Sequence, residues 1–227
     1  MKAKDLIIPF KWEDRKPVIL DKLLYIPNHY DKHDLWEFPL LSSEKIFGND
    51  NKVNLEFCSG NGQWIVEKSK QYPDINWLAV EMRFDRARKI WVKAHNEHLK
   101  NLFVVLGDGR TFADYYLMDD SINDVFVNFP DPWPKRKHQK HLLLTDDFIK
   151  KMSEKVKLNG NLTIATDDDC SVERILSILL DSKSWSPLHK TPFYITSWDD
   201  YGDSYFCSLW KNKQRSIKYL QFLNNKY

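Results

Sequence analysis

Residues 53–64 read VNLEFCSGNGQW. An apolar run, VNLEF, stops at a polar loop with two glycines, and apolar residues resume at Trp64. Short, continuous apolar runs that end in such turns are the mark of buried strands in a parallel sheet. Three more follow at fairly even intervals, INWLAVEM (75–82), LFVVLGD (102–108) and DVFVNFP (124–130); a fifth, NLTIATD (161–167), comes after a longer gap. Between them, Trp64 to Tyr72, Asp85 to Leu99 and Leu142 to Val156 place apolar residues three and four apart, as on one face of a helix. Strand alternating with helix predicts an α/β fold built on a doubly wound, mostly parallel sheet.

Outside this frame the signals weaken. From about Pro187 the chain reads FYITSWDDYGDSYFCSLW and then a basic, helix-like tail. Turn residues at Asp200 to Asp203 predict an antiparallel hairpin added to the sheet edge. Prolines at positions 9, 17, 27 and 39 interrupt the first 45 residues, which are expected to form an extension acting as a flexible arm or a lid. Residues 46–227 are expected to form a single domain.

Composition bounds the function classes. Of 227 residues, 42% are hydrophobic and 29% charged, which excludes a disordered tail. The nine tryptophans are a generous aromatic supply, useful for a core and equally for stacking on bases. A net charge of +2 says little about partners, so local charge matters more. Lys and Arg gather at Arg83 to Lys93, where a solvated helix face explains them best, and again at Lys135 to Lys140. Cys58, Cys170 and Cys207 are far apart, which predicts reduced thiols, no metal site and a cytoplasmic protein. No apolar stretch reaches the roughly 18 residues of a membrane span.

Open parallel sheets bind ligands beyond the carboxyl ends of their strands. The polar residues there form an orderly set. Gly60 and Gly62 let the backbone approach a ligand where the first strand turns into the first helix, although two glycines alone are often only a tight turn. Glu81 ends the second run, where an acid commonly accepts from both ribose hydroxyls. Glu56, inside the end of a buried strand, is costly unless a cation or donor meets it. It would repel a pyrophosphate, which disfavours a dinucleotide and a dehydrogenase. S-adenosylmethionine suits it: an ammonium, a sulfonium, a ribose for Glu81, and an adenine amino group that Asp108 can accept from. Asp108-Gly109 alone would be a plain turn; acids after three successive strands are harder to dismiss.

The fourth run leads into NFPDPWPKRKHQK (128–140). Three prolines stiffen this loop and hold Asp131 on the same rim. The basic run that follows suggests a polyanionic substrate, for which phosphate contacts supply most of the affinity.

At these residues the chain resembles the bacterial tRNA (guanine-N7)-methyltransferases. FPDPWPKRKHQK resembles that family's most distinctive signature, and LEFCSGNG, AVEM, LGDGRTF and IATD fall in matching order, from about Val53 to Trp210. The resemblance implies a class I methyltransferase (Rossmann-like) fold, S-adenosylmethionine as donor, and a guanine in the tRNA variable loop as target. It makes Glu56, Glu81, Asp108 and Asp131 cofactor contacts, with Asp131 also the catalytic residue. Lys135 and Asp167 would touch the tRNA or the guanine. Thr196 to Asp199 resembles the family's T-x-aromatic-E element, so Thr196 and Asp199 are substrate candidates. The chain departs from the family at Cys58, His141, Asn161 and Asp199, which replace glycine, arginine, glycine and glutamate. Two alternatives stay open: a tRNA-binding module without catalysis, and a methyltransferase acting on a different substrate. The chain is compatible with a monomer or a homodimer.

Overall fold

The computed structural model describes residues 1–7, 15–39, 43–132 and 141–226. Among these, nine strands form one sheet: β1 (Val18–Leu20), β2 (Leu23–Tyr25), β3 (Lys52–Phe57), β4 (Ile75–Glu81), β5 (Leu102–Leu106), β6 (Ile122–Asn128), β7 (Val156–Thr166), β8 (Trp185–Pro187) and β9 (Lys218–Asn224). The helices are α1 (Ser43–Phe47), α2 (Gln63–Gln71), α3 (Phe84–Asn96), α4 (Gly109–Tyr115), α5 (Asp146–Lys155), α6 (Asp169–Asp181) and α7 (Tyr205–Asn212). All five apolar runs become the strands β3 to β7.

The strand order is β1-β2-β5-β4-β3-β6-β7-β9-β8. Pairing is parallel from β2 through β7 and antiparallel at both ends. From β3 the chain winds outward through β4 to β5, then crosses back through α4 to β6 and β7. The winding therefore reverses between β3 and β6, where a doubly wound sheet opens a crevice at its carboxyl edge.

Both faces of the sheet are covered, which is why its central strands are apolar throughout. On β5, Phe103 and Val105 join a core with Phe112 of α4, Phe148 and Met152 of α5, and Val172 and Ile175 of α6. Leu102, Val104 and Leu106 alternate to the opposite core, with Trp64 and Ile65 of α2 and Ile90 and Trp91 of α3. On β3, Leu55 and Phe57 belong to the first core. The side chains of Asn54 and Glu56 thus project toward the second face, under α2 and α3.

Three expectations are corrected. The C-terminal antiparallel strands exist, but they are β8 and β9, while Asp199–Tyr201 is a 3-10 turn and Tyr205–Asn212 is helix α7. Ser204 caps α7 by accepting from the Cys207 amide at 3.0 Å, a local signal stronger than the turn residues before it. The basic tail, expected to be helical, is strand β9, paired with β7 from Asn161 to Thr166. Within the N-terminal extension, residues 18–25 supply two strands to the same sheet. Phe38 packs among Phe103 and Phe112, and the His33 ring nitrogen meets the Tyr116 hydroxyl at 2.6 Å.

Candidate active site

Glu56, the next-to-last residue of β3, is a carboxylate buried inside the sheet. It is 1% exposed. Its Oε1 accepts from the Asn128 amide at 2.6 Å, and its Oε2 is buried with no hydrogen-bond partner among the described residues. Burial pushes its carboxyl up to about 7, although the Asn128 amide favours the charged form, as does the nearby Ser59 hydroxyl, whose hydrogen bond goes to the Glu56 backbone oxygen at 3.1 Å; Glu81 adds repulsion. A buried polar atom left without a partner costs about 1–3 kcal/mol, so Oε2 marks a place where a donor belongs.

The loop after β3 is shaped by backbone geometry. Cys58, Gly60 and Gly62 all have positive φ, at 61°, 56° and 72°. At Gly60 this turns the amide toward Glu81, whose Oε2 accepts from it at 2.8 Å. Glu81 Oε1 accepts from the Arg83 amide, also at 2.8 Å, so both oxygens are fixed before any ligand arrives. Burial raises the Glu81 pKa against these donors and the Arg86 guanidinium. Gly62 has a different task. A Cβ there would lie 2.6 Å from Ile90 Cγ1, so this glycine lets α2 pack on α3.

Asp108 caps α4, accepting at Oδ1 from the Arg110 and Thr111 amides at 3.1 and 2.9 Å. It faces a cleft of about 540 Å³ lined also by Glu81 and Asp131, with Val80, Met82, Phe129, Leu143 and Phe206 among its apolar walls. Asp131 is solvent-exposed at the mouth, two residues after Phe129, which itself holds a left-handed φ of 50°. Cys58 lines the same cleft and gathers the acids around it. Burial drives its thiol pKa up, and Glu81, Asp131 and Glu56 all push in the same direction. Glu81, Asp108 and Asp131 therefore share one cavity, whereas Glu56 and Gly60 are not among its lining residues; Glu56 adjoins it through Cys58.

The acceptor-side candidates are less assembled. Asp167, after β7, is engaged by Arg215 Nη1 at 2.6 Å and lies outside the cleft lining. Thr196 and Asp199 are exposed, and they too lie outside it. Lys135 and the basic run to Lys140 fall outside the described residues.

Several site residues escaped sequence reasoning. Arg83 and Arg86, expected on a solvated helix face, line the cleft at the start of α3, and Arg86 stands 5.6 Å over the Phe206 ring. Their position just after Glu81 was the available signal. Phe206 carried none, because α7 brings it back to the cleft from far along the chain.

S-adenosylmethionine fits this donor set. Its ammonium would supply a donor that Glu56 Oε2 lacks among the described residues, and its ribose and adenine would suit a cleft that pairs Glu81 and Asp108 with apolar walls. A family model described as "Putative methyltransferase" matches residues 50–216. The tRNA (guanine-N(7)-)-methyltransferase of Chlamydia caviae is 43% identical over 98% of both chains. That of Chlamydia felis is 44% identical over 98% of this chain and 97% of its own. Among solved structures, the 16S rRNA methyltransferase KamB shares the fold, with a TM-score of 0.63, 13% identity, and coverage of 93% of this chain and 100% of its own. On the matched span and the full-length relatives, the chain belongs to the tRNA (guanine-N(7)-)-methyltransferase family, within the class I S-adenosylmethionine-dependent methyltransferases.

Proposed function

We propose that this protein transfers a methyl group from S-adenosylmethionine to N7 of a guanine in tRNA, in the variable loop that the family resemblance implies. The observation that carries the reading is the convergence of Glu81, Asp108 and Asp131 on one cleft, together with a buried Glu56 whose Oε2 has no partner among the described residues. Cys58, where the family has glycine, leaves that cleft open at about 540 Å³, which favours an enzyme over a binding module that has lost its donor.

The bound sulfonium supplies an electrophilic methyl group. N7 of guanine carries a free lone pair, so the residues need remove no proton before attack. Their work is alignment and charge. Glu56 would hold the donor's ammonium, Glu81 its ribose and Asp108 its adenine. Aligning the two reactants removes most of the entropy of their meeting. Methylation leaves a cationic ring, and the Asp131 carboxylate at the mouth would stabilise that charge as it develops. Asp167 would accept from the guanine N1–H and amino group, with Thr196, Asp199 and Lys135 on the tRNA side.

No helix among the described residues is long and apolar enough to cross a membrane. Free cysteines and a tRNA substrate support a cytoplasmic location. The test is incubation of the purified protein with methyl-labelled S-adenosylmethionine and unmodified tRNA, followed by nucleoside analysis. Label in 7-methylguanosine at a variable-loop position is expected. Label in another nucleoside, or none, would overturn the assignment.

A further inference from the structure

The second face of the sheet carries a buried polar chain that ends at Glu56. Asn128 ends β6, on the strand beside β3, and its Nδ2 donates to Glu56 Oε1 at 2.6 Å. Its Oδ1 accepts from the Tyr201 hydroxyl at 2.5 Å. All three side chains are buried: Glu56 is 1%, Asn128 3% and Tyr201 3% exposed. Among the described residues, one end of this chain has no partner, Glu56 Oε2.

Tyr201 is held from several sides. Its backbone oxygen accepts from Trp64 Nε1 at 2.6 Å, and the preceding carbonyl, of Asp200, accepts from Lys68 Nζ at 2.7 Å. Both donors sit on α2, the helix that follows the glycine loop. Its ring lies 5.3 Å from Trp64, 4.9 Å from Trp198 and 4.8 Å from Tyr219, centroid to centroid. A hydroxyl fixed this firmly leaves the Asn128 amide one good orientation. With Oδ1 toward Tyr201, the NH2 group faces Glu56; flipped, Oδ1 would confront a carboxylate. Donation from the hydroxyl also polarises the amide and strengthens its own N–H donation.

We propose that Asn128 and Tyr201 are positioning residues for the donor's ammonium, holding Glu56 charged and turned so that Oε2 meets it. This rests on the reading that Glu56 receives that ammonium. A cushion of apolar side chains would have left both Glu56 oxygens without a donor, at greater cost. The amide and hydroxyl instead satisfy one oxygen and reserve the other, which a purely structural network, closed at both ends, would not do.

The test is calorimetric titration of the full chain with two probes: S-adenosylhomocysteine, and its deaminated analogue, which lacks only the ammonium. Tyr201→Phe is expected to weaken the first about fivefold, as for loss of one hydrogen bond in a charged chain, and the second by less than about twofold. Asn128→Leu is expected to show the same split more strongly. Equal losses for both probes, or no loss for either, would overturn the proposal, and Tyr201→Phe decides it alone if Asn128→Leu does not fold. Glu56→Gln separates the layers. If Glu56→Gln splits the probes and Tyr201→Phe does not, only the positioning role falls. If Glu56→Gln shows no split, the ammonium assignment falls and takes this proposal with it.

Discussion

The donor half and the acceptor half of the site are built to different standards. Glu56, Glu81 and Asp108 stand at the ends of adjacent parallel strands and are oriented by partners close at hand: the Asn128 side chain, the Gly60 and Arg83 amides, and the first turn of α4. Asp131, Thr196 and Asp199 are exposed on loops, and Asp167 is paired with Arg215. A small ligand needs a preformed pocket, because it brings too little surface to organise one. A folded RNA brings a large charged surface, so groups that meet it can remain solvated until it arrives. Preorganisation is concentrated where the ligand is small.

The contrast breaks most visibly at Asp131, the acceptor-side acid that also lines the donor cleft. Asp131→Ala is expected to lower turnover by about 10²–10³, the usual cost of removing one stabiliser of developing charge. Affinities for tRNA and for S-adenosylhomocysteine should change little. A single-turnover assay beside binding titrations checks this; turnover at the wild-type rate would remove Asp131 from the chemistry.

A buried acid with no cation yet bound should also destabilise the free protein, which the exposed acceptor acids should not. The Glu56 carboxyl has a folded pKa of about 7 against an ordinary 4.5. Between those values the folded protein keeps a proton that the unfolded chain has released. Stability therefore falls as pH rises from about 4.5 to 7, and the loss, about 3 kcal/mol, is complete above that. Glu56→Gln should flatten this dependence, with a higher urea midpoint at pH 8 and little change at pH 5. A wild-type and variant pair with parallel pH profiles would refute the buried charge.

Within the donor half, the glycine loop separates a packing role at Gly62 from the role of Gly60, whose amide orients Glu81. At Gly62 an added Cβ meets Ile90 at 2.6 Å with φ at 72°, whereas at Gly60 the nearest atoms are 3.9 Å away. Gly62→Ala should cost about 2–3 kcal/mol from strain and overpacking together, and Gly60→Ala about 1 kcal/mol from strain alone. Urea melts of the two variants, with unchanged slopes, would order them. The reverse order would mean that the α2–α3 contact gives way easily.

This division also explains what was legible in the sequence. Glu56, Glu81 and Asp108 could be found because a parallel sheet places strand-end residues on one rim whatever the loops do. Residues 219–223, YLQFL, could not be assigned: apolar positions 219, 220, 222 and 223 suit a helix face as well as a strand buried on both sides, and only pairing with β7 decides. Tyr201 and Phe206 had no local mark. They reach the site because β9 returns antiparallel to β7 and draws the preceding turn and α7 over the carboxyl edge. The strands at residues 18–25 are three residues each among prolines, too short for a periodic signal.

The smallest expected effect is the most informative about the acceptor half. Arg215 is 53% exposed, with its guanidinium 4.4 Å over the Trp210 ring and 2.6 Å from Asp167. With Arg215 in solvent and the Asp167 side chain 10% exposed, the pair should contribute about 1 kcal/mol to stability. If this surface meets tRNA, Arg215→Ala should raise the KM for tRNA a few-fold and reduce the slope of log affinity against log salt by about one phosphate's worth. The melting temperature and the affinity for S-adenosylhomocysteine should stay put. Should the salt slope be unchanged while the melting temperature drops by several degrees, Arg215 would be a strut for Asp167, and the RNA would have to engage the protein elsewhere. An unchanged melting temperature with a shallower slope puts the RNA backbone on the Trp210–Arg215 edge, within reach of Asp167, and gives the exposed half of the site the role that its lack of preorganisation suggests.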